Sequence, residues 1–443
     1  MDPNGSRLDA VFAQLLARRE TQGRLRRLTH PPANAVDFSS NSYLSLANDP
    51  EVKERYLSLL QSDNVNFSLG SGGSRLLDGN NALVEDLEGK IAAFHRAPAG
   101  LLFNSGFDAN SGLFSCAPQP GDVVVYDELI HASVHDGMKL GRARRIPFAH
   151  NAVNAGGDGA TKCLDTVLQE LCSGTAGEAF IQGRKNIFIA VEGVYSMDGD
   201  TAPLQEIVDC VRQRLPQGNG YIIVDEAHST GIIGERGRGL VCQLGLEDQV
   251  WARVHTFGKA MGCSGAIVLC SPTTRSYLIN YARSLIYTTA IGYPSLAAIQ
   301  TTYEHLAAGG ADKQLRNLRR LIIQVHSALT MMSHAHSLPP TVFHINPSIP
   351  ESPIIPLFTS HARELAAHCQ ANGFMLRPIV APTVPKGTDR VRLCIHAGNT
   401  STEVASLCKV IEQWACSKSG MVDDEAATQR QRFDVSKSRL SRL

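Results

Sequence analysis

The stretch Y-I-I-V-D-E-A-H, Tyr221 to His228, decides the fold. Ile222, Ile223 and Val224 run without polar alternation into the acid Asp225, so a strand here has no face left for water. A strand covered on both sides belongs to a parallel sheet sandwiched between helices. Related runs recur at Val123 to Asp127 (VVVYD), Asn186 to Gly193 (NIFIAVEG) and Gly265 to Cys270 (GAIVLC). Between them lie segments such as PLQEIVDCVRQRL, Pro203 to Leu215, whose apolar spacing suits an amphipathic helix laid on a sheet. The chain therefore reads as an α/β protein with a large, mainly parallel-sheet domain over about residues 50–290.

Outward from that domain the pattern changes. Residues 291–416 begin with helical periodicity, pass through INPSIPESPIIP, and end on VRLCIHA and a helix from Ser401 to Trp414, a smaller C-terminal α+β domain. Residues 1–49 form an arm with an amphipathic helix from Leu8 to Arg27, too small to fold alone. From Ser417 to Leu443 the chain is polar and charged with little apolar periodicity, which predicts a flexible tail.

With 443 residues, 43% of them hydrophobic, the chain can bury a large core. Lys plus Arg and Asp plus Glu both number 42, so no net field favours nucleic acid or an anionic membrane as a partner. No run is long and apolar enough for a membrane span, and MDPNGSRLDAVFAQLLARRE carries charges where a signal peptide needs an apolar core. The eleven cysteines, from Cys116 to Cys416, show no metal-ligand spacing and read as reduced thiols in an intracellular compartment.

Four segments carry candidate chemistry. Asp225 falls at the carboxyl edge of the sheet, where ligands of open α/β folds bind, and an acid there can keep a heterocyclic nitrogen protonated. Alone, it reads equally well as a capping Asp. In HTFGKAMGCSGA, Lys259 sits among small residues where partial desolvation would free its amine to form a Schiff base. Without Asp225 upstream it would read as a surface charge. In LLFNSGFDANSG, Gly106 and Phe107 open a helix whose N–H groups suit a phosphate. In YDELIHASVHDG, His131 follows a strand and suits stacking on a flat ring, whereas His135 reads as structural.

Taken in order, FSSNSYLSLA, GSGGSRLLDG, NSGFDAN, DELIHASVHDG, EGVYSMDGDTAPL, VDEAHSTGIIGERGRG, TFGKAMGCSGA, RSLIYTTA and APTVPKGTDRVRLCIHAG resemble the α-oxoamine synthase family of fold-type I pyridoxal phosphate (PLP) enzymes. The resemblance spans about Asp37 to Trp414, and GSGGS with APTVPKGT is most similar to the 8-amino-7-oxononanoate synthase branch. It implies pyridoxal 5'-phosphate as cofactor, with Lys259 as its Schiff-base lysine, Asp225 beside the ring nitrogen and His131 on the ring face. Gly106, Phe107, Ser196, His228 and Thr256 are implied as further cofactor contacts. Thr288 and Thr289 match positions that reach a partner subunit's phosphate, so a homodimer is implied.

Arg392 resembles the arginine that clamps the amino acid carboxylate, with Asn41, Thr383 and Arg26 matching further substrate contacts. The family's usual Ala-Ala-His reads Ala397-Gly398-Asn399 here. The implied reaction is decarboxylative condensation of L-alanine with an acyl-CoA, pimeloyl-CoA in biotin synthesis, releasing CoA and carbon dioxide. Another acyl or polyketide thioester, a fold-type I aminotransferase and a non-catalytic scaffold subunit remain as alternatives. Ser441, Arg442 and Leu443 form a variant of the S-K-L peroxisomal address, so import through its receptor into peroxisomes is expected, or a cytoplasmic location if the signal is not read.

Overall fold

A computed structural model describes residues 6–62, 68–154 and 161–440, with 421–440 as backbone alone. The tripeptide Ser441, Arg442, Leu443 lies outside the described residues. Two units are distinguished, Met1–Ala35 and Val36–Leu443. In the first, Ser6 and Asp9 form a capping box that starts a helix over Arg7–Thr21. Gly23, at φ +61°, takes the left-handed turn that ends it, short of the expected Arg27. Leu8, Val11, Phe12, Leu15 and Leu16 recur at helical spacing and are exposed.

Among its described residues the second unit holds twelve strands: β1 Val36–Asp37, β2 Ala99–Phe103, β3 Val123–Asp127, β4 Arg144–Phe148, β5 Ile187–Glu192, β6 Gly220–Asp225, β7 Ala252–Thr256, β8 Ala266–Cys270, β9 Ile354–Phe358, β10 Phe374–Met375, β11 Arg377–Ile379 and β12 Arg390–Cys394. Seven form the central sheet in the order β2-β8-β7-β6-β5-β3-β4. Only β8 runs antiparallel to its neighbours β2 and β7. Successive residues sort to opposite faces: Ile187, Ile189 and Val191 join one apolar layer, Phe188 and Ala190 the other. Each fully buried Ile, Leu or Val stabilises the sheet by roughly 1.5–3 kcal/mol, which is why these strands read as continuous apolar runs.

That topology sets the site. β3, β5, β6 and β7 are parallel, so their last residues Asp127, Glu192, Asp225 and Thr256 gather at one edge, with Glu192 in register with Asp225. A second sheet, β11-β12-β9, is antiparallel. It packs with the helices Asp312–Ala335 and Ala362–Ala371 and the start of the last helix, within the same unit as the central sheet.

Two further boundaries differ from the sequence reading. Residues 36–49, expected in the arm, belong to the second unit, because β1 pairs with β10. The carbonyls of Phe38 and Tyr43 also accept from the N–H groups of Cys394 (2.9 Å) and Ala397 (2.7 Å). The last helix runs over Ser401–Leu440, so residues expected as a tail continue it. The chain there lacks proline, and Ala, Glu, Gln, Lys and Arg are strong helix formers without needing a buried stripe. The GSGGSR segment is held through Arg75, whose Nη1 lies 2.6 Å from buried Glu88 Oε1, while Arg275 takes Glu88 Oε2 at 2.6 Å.

Candidate active site

At the carboxyl edge of the central sheet, a cavity of about 170 Å³ is lined by Gly106, Phe107, Asn110, His131, Ser133, Glu192, Asp225, Ala227, His228, Thr256 and Lys259. Seven of the sequence candidates meet here. Asp225, at the end of β6, is fixed on both oxygens: Ala227 N–H donates to Oδ1 (2.9 Å) and Asn110 Nδ2 to Oδ2 (2.7 Å). Asn110 also donates to Ser133 Oγ at 3.0 Å, and Ser133 N–H donates to His131 Nδ1 at 3.2 Å. A backbone donor on Nδ1 leaves Nε2 to carry the hydrogen of a neutral His131.

Lys259 follows β7 by three residues, and its Nζ lies 2.9 Å from His228 Nε2. Burial lowers the proton affinity of this amine, Asp225 and Glu192 pull it back up, and Arg392 lowers it again; the net shift is downward. His228, almost fully buried, is held neutral by burial and by the positive charges of Lys259 and Arg392. Beside them Gly106 opens the helix Gly106–Cys116, and a Cβ there would come within 3.2 Å of Thr256 Cβ, so only glycine leaves this approach clear.

Arg392, on β12, reaches the same region from the smaller sheet. Its Nη2 donates to Asn41 Oδ1 (3.0 Å) and Tyr43 Oη (3.1 Å), and its Nε to the Ser196 carbonyl (2.5 Å). Ser196 thus contributes its backbone. It sits in a hairpin, residues 194–201, closed by the Val194 to Thr201 bridge and pinned by the Asp198–Arg390 ion pair. Gly199, at φ +73°, is needed where a side chain would run into the Ile354 carbonyl.

Other candidates lie elsewhere. Thr288 and Thr289 are outside the cavity, beside Asn104, whose Nδ2 donates to Thr288 Oγ1 (3.2 Å) and the Thr289 carbonyl (2.9 Å). Thr383 is exposed on the loop after β11, outside the cavity lining, and Arg26 is an exposed residue of the first unit. His135 packs edge-on against Tyr126, ring centroids 5.2 Å apart.

The sequence reading missed Asn110, Ser133, Tyr43 and Glu192. Glu192 ends β5 as Asp225 ends β6, a parallel that the runs IAVE and IIVD carry in plain sight. It is buried, its Oε1 has no hydrogen-bond partner, and burial beside Asp225 raises its proton affinity well above the ordinary carboxyl range.

These residues fit pyridoxal phosphate. A primary amine of lowered proton affinity suits its aldehyde, a fixed buried carboxylate its ring nitrogen, and a glycine-opened helix N-terminus its phosphate. Among the described residues no cluster has the composition of a metal site, and no helix is long and apolar enough to cross a membrane.

Residues 33–411 match the model of the class I and II aminotransferases. The chain is 52% identical over 402 residues to 8-amino-7-oxononanoate synthase of Emericella nidulans, covering 90% of this chain and 94% of that protein. It is 38% identical to the aminoacyl transferase sphA of Aspergillus fumigatus, covering 88% and 84%. A solved serine palmitoyltransferase holding PLP superposes with a TM-score of 0.77 over 92% of this chain and 98% of that one at 24% identity, a likeness of fold. Sequence, topology and site geometry agree: the chain belongs to the α-oxoamine synthases within the class I and II aminotransferase family.

Proposed function

We propose that this chain condenses L-alanine with pimeloyl-CoA, releasing CoA and carbon dioxide and forming 8-amino-7-oxononanoate for biotin synthesis. The observation that carries the reading is the placement of Arg392 and Asn41 one hydrogen-bonded tyrosine away from the Lys259–His228 pair. It offers a carboxylate clamp and an amine at one site. The high identity to the Emericella synthase supports the acyl partner.

Bound PLP would supply the electron sink that makes carbanion character at the amino acid Cα, and loss of carbon dioxide, accessible. The chain's own residues do the rest. Arg392 and Asn41 hold the carboxylate and so turn the Cα–H bond toward Lys259. Lys259, with its proton affinity lowered by burial, accepts and returns the proton as a general base and acid. With the cofactor bound, Asp225 would keep the ring nitrogen protonated, His131 would lie against the ring, and Gly106, Phe107 and Thr256 would hold the phosphate.

Homodimerisation is part of the proposal. Phe107 is 47% exposed at the cavity, and Leu69, Leu77 and Tyr287 are exposed on the segments that carry GSGGS and Thr288. Those two segments are bonded to each other, Ala290 N–H donating to the Gly73 carbonyl. A partner covering this face would bring its Thr288 and Thr289 to the phosphate.

The test is CoA release with alanine, glycine and serine crossed against pimeloyl-CoA, malonyl-type and long-chain thioesters. Alanine-dependent release with pimeloyl-CoA is expected. Release only with a long-chain thioester would favour the second reading, an aminoacyl transferase like sphA, which the 38% relative supports.

A further inference from the structure

Tyr43 is fully buried, and its hydroxyl has three neighbours: His228 Nδ1 at 2.8 Å, Asn41 Oδ1 at 3.0 Å and Arg392 Nη2 at 3.1 Å. Arg392 can only donate, so the hydroxyl accepts from it. The single hydroxyl proton must then choose. Asn41 Oδ1 is always an acceptor, whereas His228 Nδ1 accepts in one tautomer and donates in the other.

The choice is set from the far side of the imidazole. When Lys259 is an ammonium, it only donates, so His228 Nε2 accepts, Nδ1 carries the hydrogen and donates to Tyr43, and the tyrosine proton turns to Asn41. When Lys259 is a neutral amine, Nε2 is free to carry the hydrogen and donate to Nζ. Nδ1 then accepts from Tyr43, and Asn41 is left with Arg392 alone. No atom moves further than a hydroxyl rotation and a tautomer change.

We propose that Tyr43 is a positioning residue that reports the protonation state of Lys259, through His228, to the Asn41–Arg392 clamp. The inference rests on the function proposed above, since it assigns that clamp to the substrate carboxylate. Other charged or titratable groups face the chain of contacts. Asp225 and Glu192 lie near Lys259, His131 and Arg392 near His228, and Cys394 with Arg392 near Tyr43. Among the described residues none of them bridges His228 to Asn41, and the Tyr43 hydroxyl alone touches both.

The geometry also explains why a tyrosine is required. Phenylalanine would fill the same space but leave His228 Nδ1 and Asn41 Oδ1 without their shared partner. The proton bookkeeping on Lys259 would continue, but the clamp would no longer follow it.

The decisive measurement is the tautomer of His228, read by nitrogen NMR of histidine-labelled full-length protein through a pH titration, with and without added PLP. The resonance is assigned with His228→Gln. In the parent chain the hydrogen should pass from Nδ1 to Nε2 as pH rises; in Tyr43→Phe the ratio should no longer follow the same midpoint. A single tautomer throughout, or identical curves in both proteins, would overturn the proposal, and the parent curve decides alone if the variant does not fold. In turnover, Tyr43→Phe should move the kcat pH profile by about half a unit or more while changing the amino acid KM less than about threefold. A shared unshifted kcat profile would also count against it. Failure of CoA release by a parent chain with a normal His228 titration would instead reject the function and leave the relay standing.

Discussion

Lys259 Nζ and His228 Nε2 stand 2.9 Å apart, and the other nitrogen of that imidazole is already engaged by Tyr43. A lysine held by one neutral histidine, in a site where burial disfavours its charge, is prepared to lose its proton without a bulk-water partner.

Lys259→Ala removes the only amine lining the cavity among the described residues. Parent protein mixed with PLP should be yellow, absorbing at about 420 nm, and the variant should not develop this band. Activity should fall by roughly a thousandfold or more. A colourless parent protein would reject the cofactor, and a variant that keeps the band would reject Lys259 as its anchor.

Arg392→Lys keeps the charge but loses the geometry. An ammonium cannot donate along both the Nε direction to Ser196 and the Nη2 direction to Asn41 and Tyr43. KM for the amino acid should rise by about 10- to 100-fold, with KM for the thioester much less affected. Equal effects on both substrates would remove Arg392 from the clamp.

Acid should destabilise the protein through two adjacent buried histidines. His95 and His255 are buried with ring centroids 4.0 Å apart, and burial drives the His95 pKa down to about 3 and that of His255 well below the ordinary value. The unfolded chain takes up these protons from pH about 6.5 downward while the folded one does not, so stability is intact above that value and falls as pH drops toward 3. Each histidine costs up to about 1.4 kcal/mol per pH unit across that window. His255→Gln should flatten the fall in melting temperature between neutral and mildly acidic buffer, and an unchanged slope would contradict this origin.

His150 has the opposite sign. Burial alone would lower its pKa, but Asp127 on Nδ1 (2.9 Å) and Asp200 on Nε2 (2.8 Å) outweigh it and raise it to about 10. Its stabilisation is complete below pH about 6.5 and is lost as pH climbs toward 10. Because Asp200 lies in the hairpin that carries Ser196, His150→Gln should weaken amino acid binding and remove part of the alkaline loss of stability. Calorimetry at neutral and alkaline pH, with amino acid KM, checks both.

The strands were legible because burial on both faces leaves a simple record in the chain: VVVYD and IIVD appear as β3 and the end of β6. Asp225, His131 and Gly106 were legible because each stands at a strand end or helix start, and Lys259 because it lies among small residues in the turn after β7. The network behind them was not. Tyr43 lies 185 positions from His228 and 349 from Arg392, and no local spacing hints that their side chains meet. Asn110 was hidden for a similar reason, since within the helix Gly106–Cys116 it reads as an ordinary polar residue. The helix that continues after Ser417 left no signal in the sequence, because composition without an apolar stripe argues against burial, not against helix.

The backbone bonds that tie Phe38 and Tyr43 to Cys394 and Ala397 bear on how the protein is made. The segment bearing Asn41 leaves the ribosome early, yet its hydrogen-bonding partners are among the last parts of the fold to be translated. The central sheet can assemble while synthesis continues, but the clamp closes only once β12 has emerged. A truncated chain would therefore carry Lys259 without Arg392, and completeness of translation becomes the condition for assembling the proposed clamp.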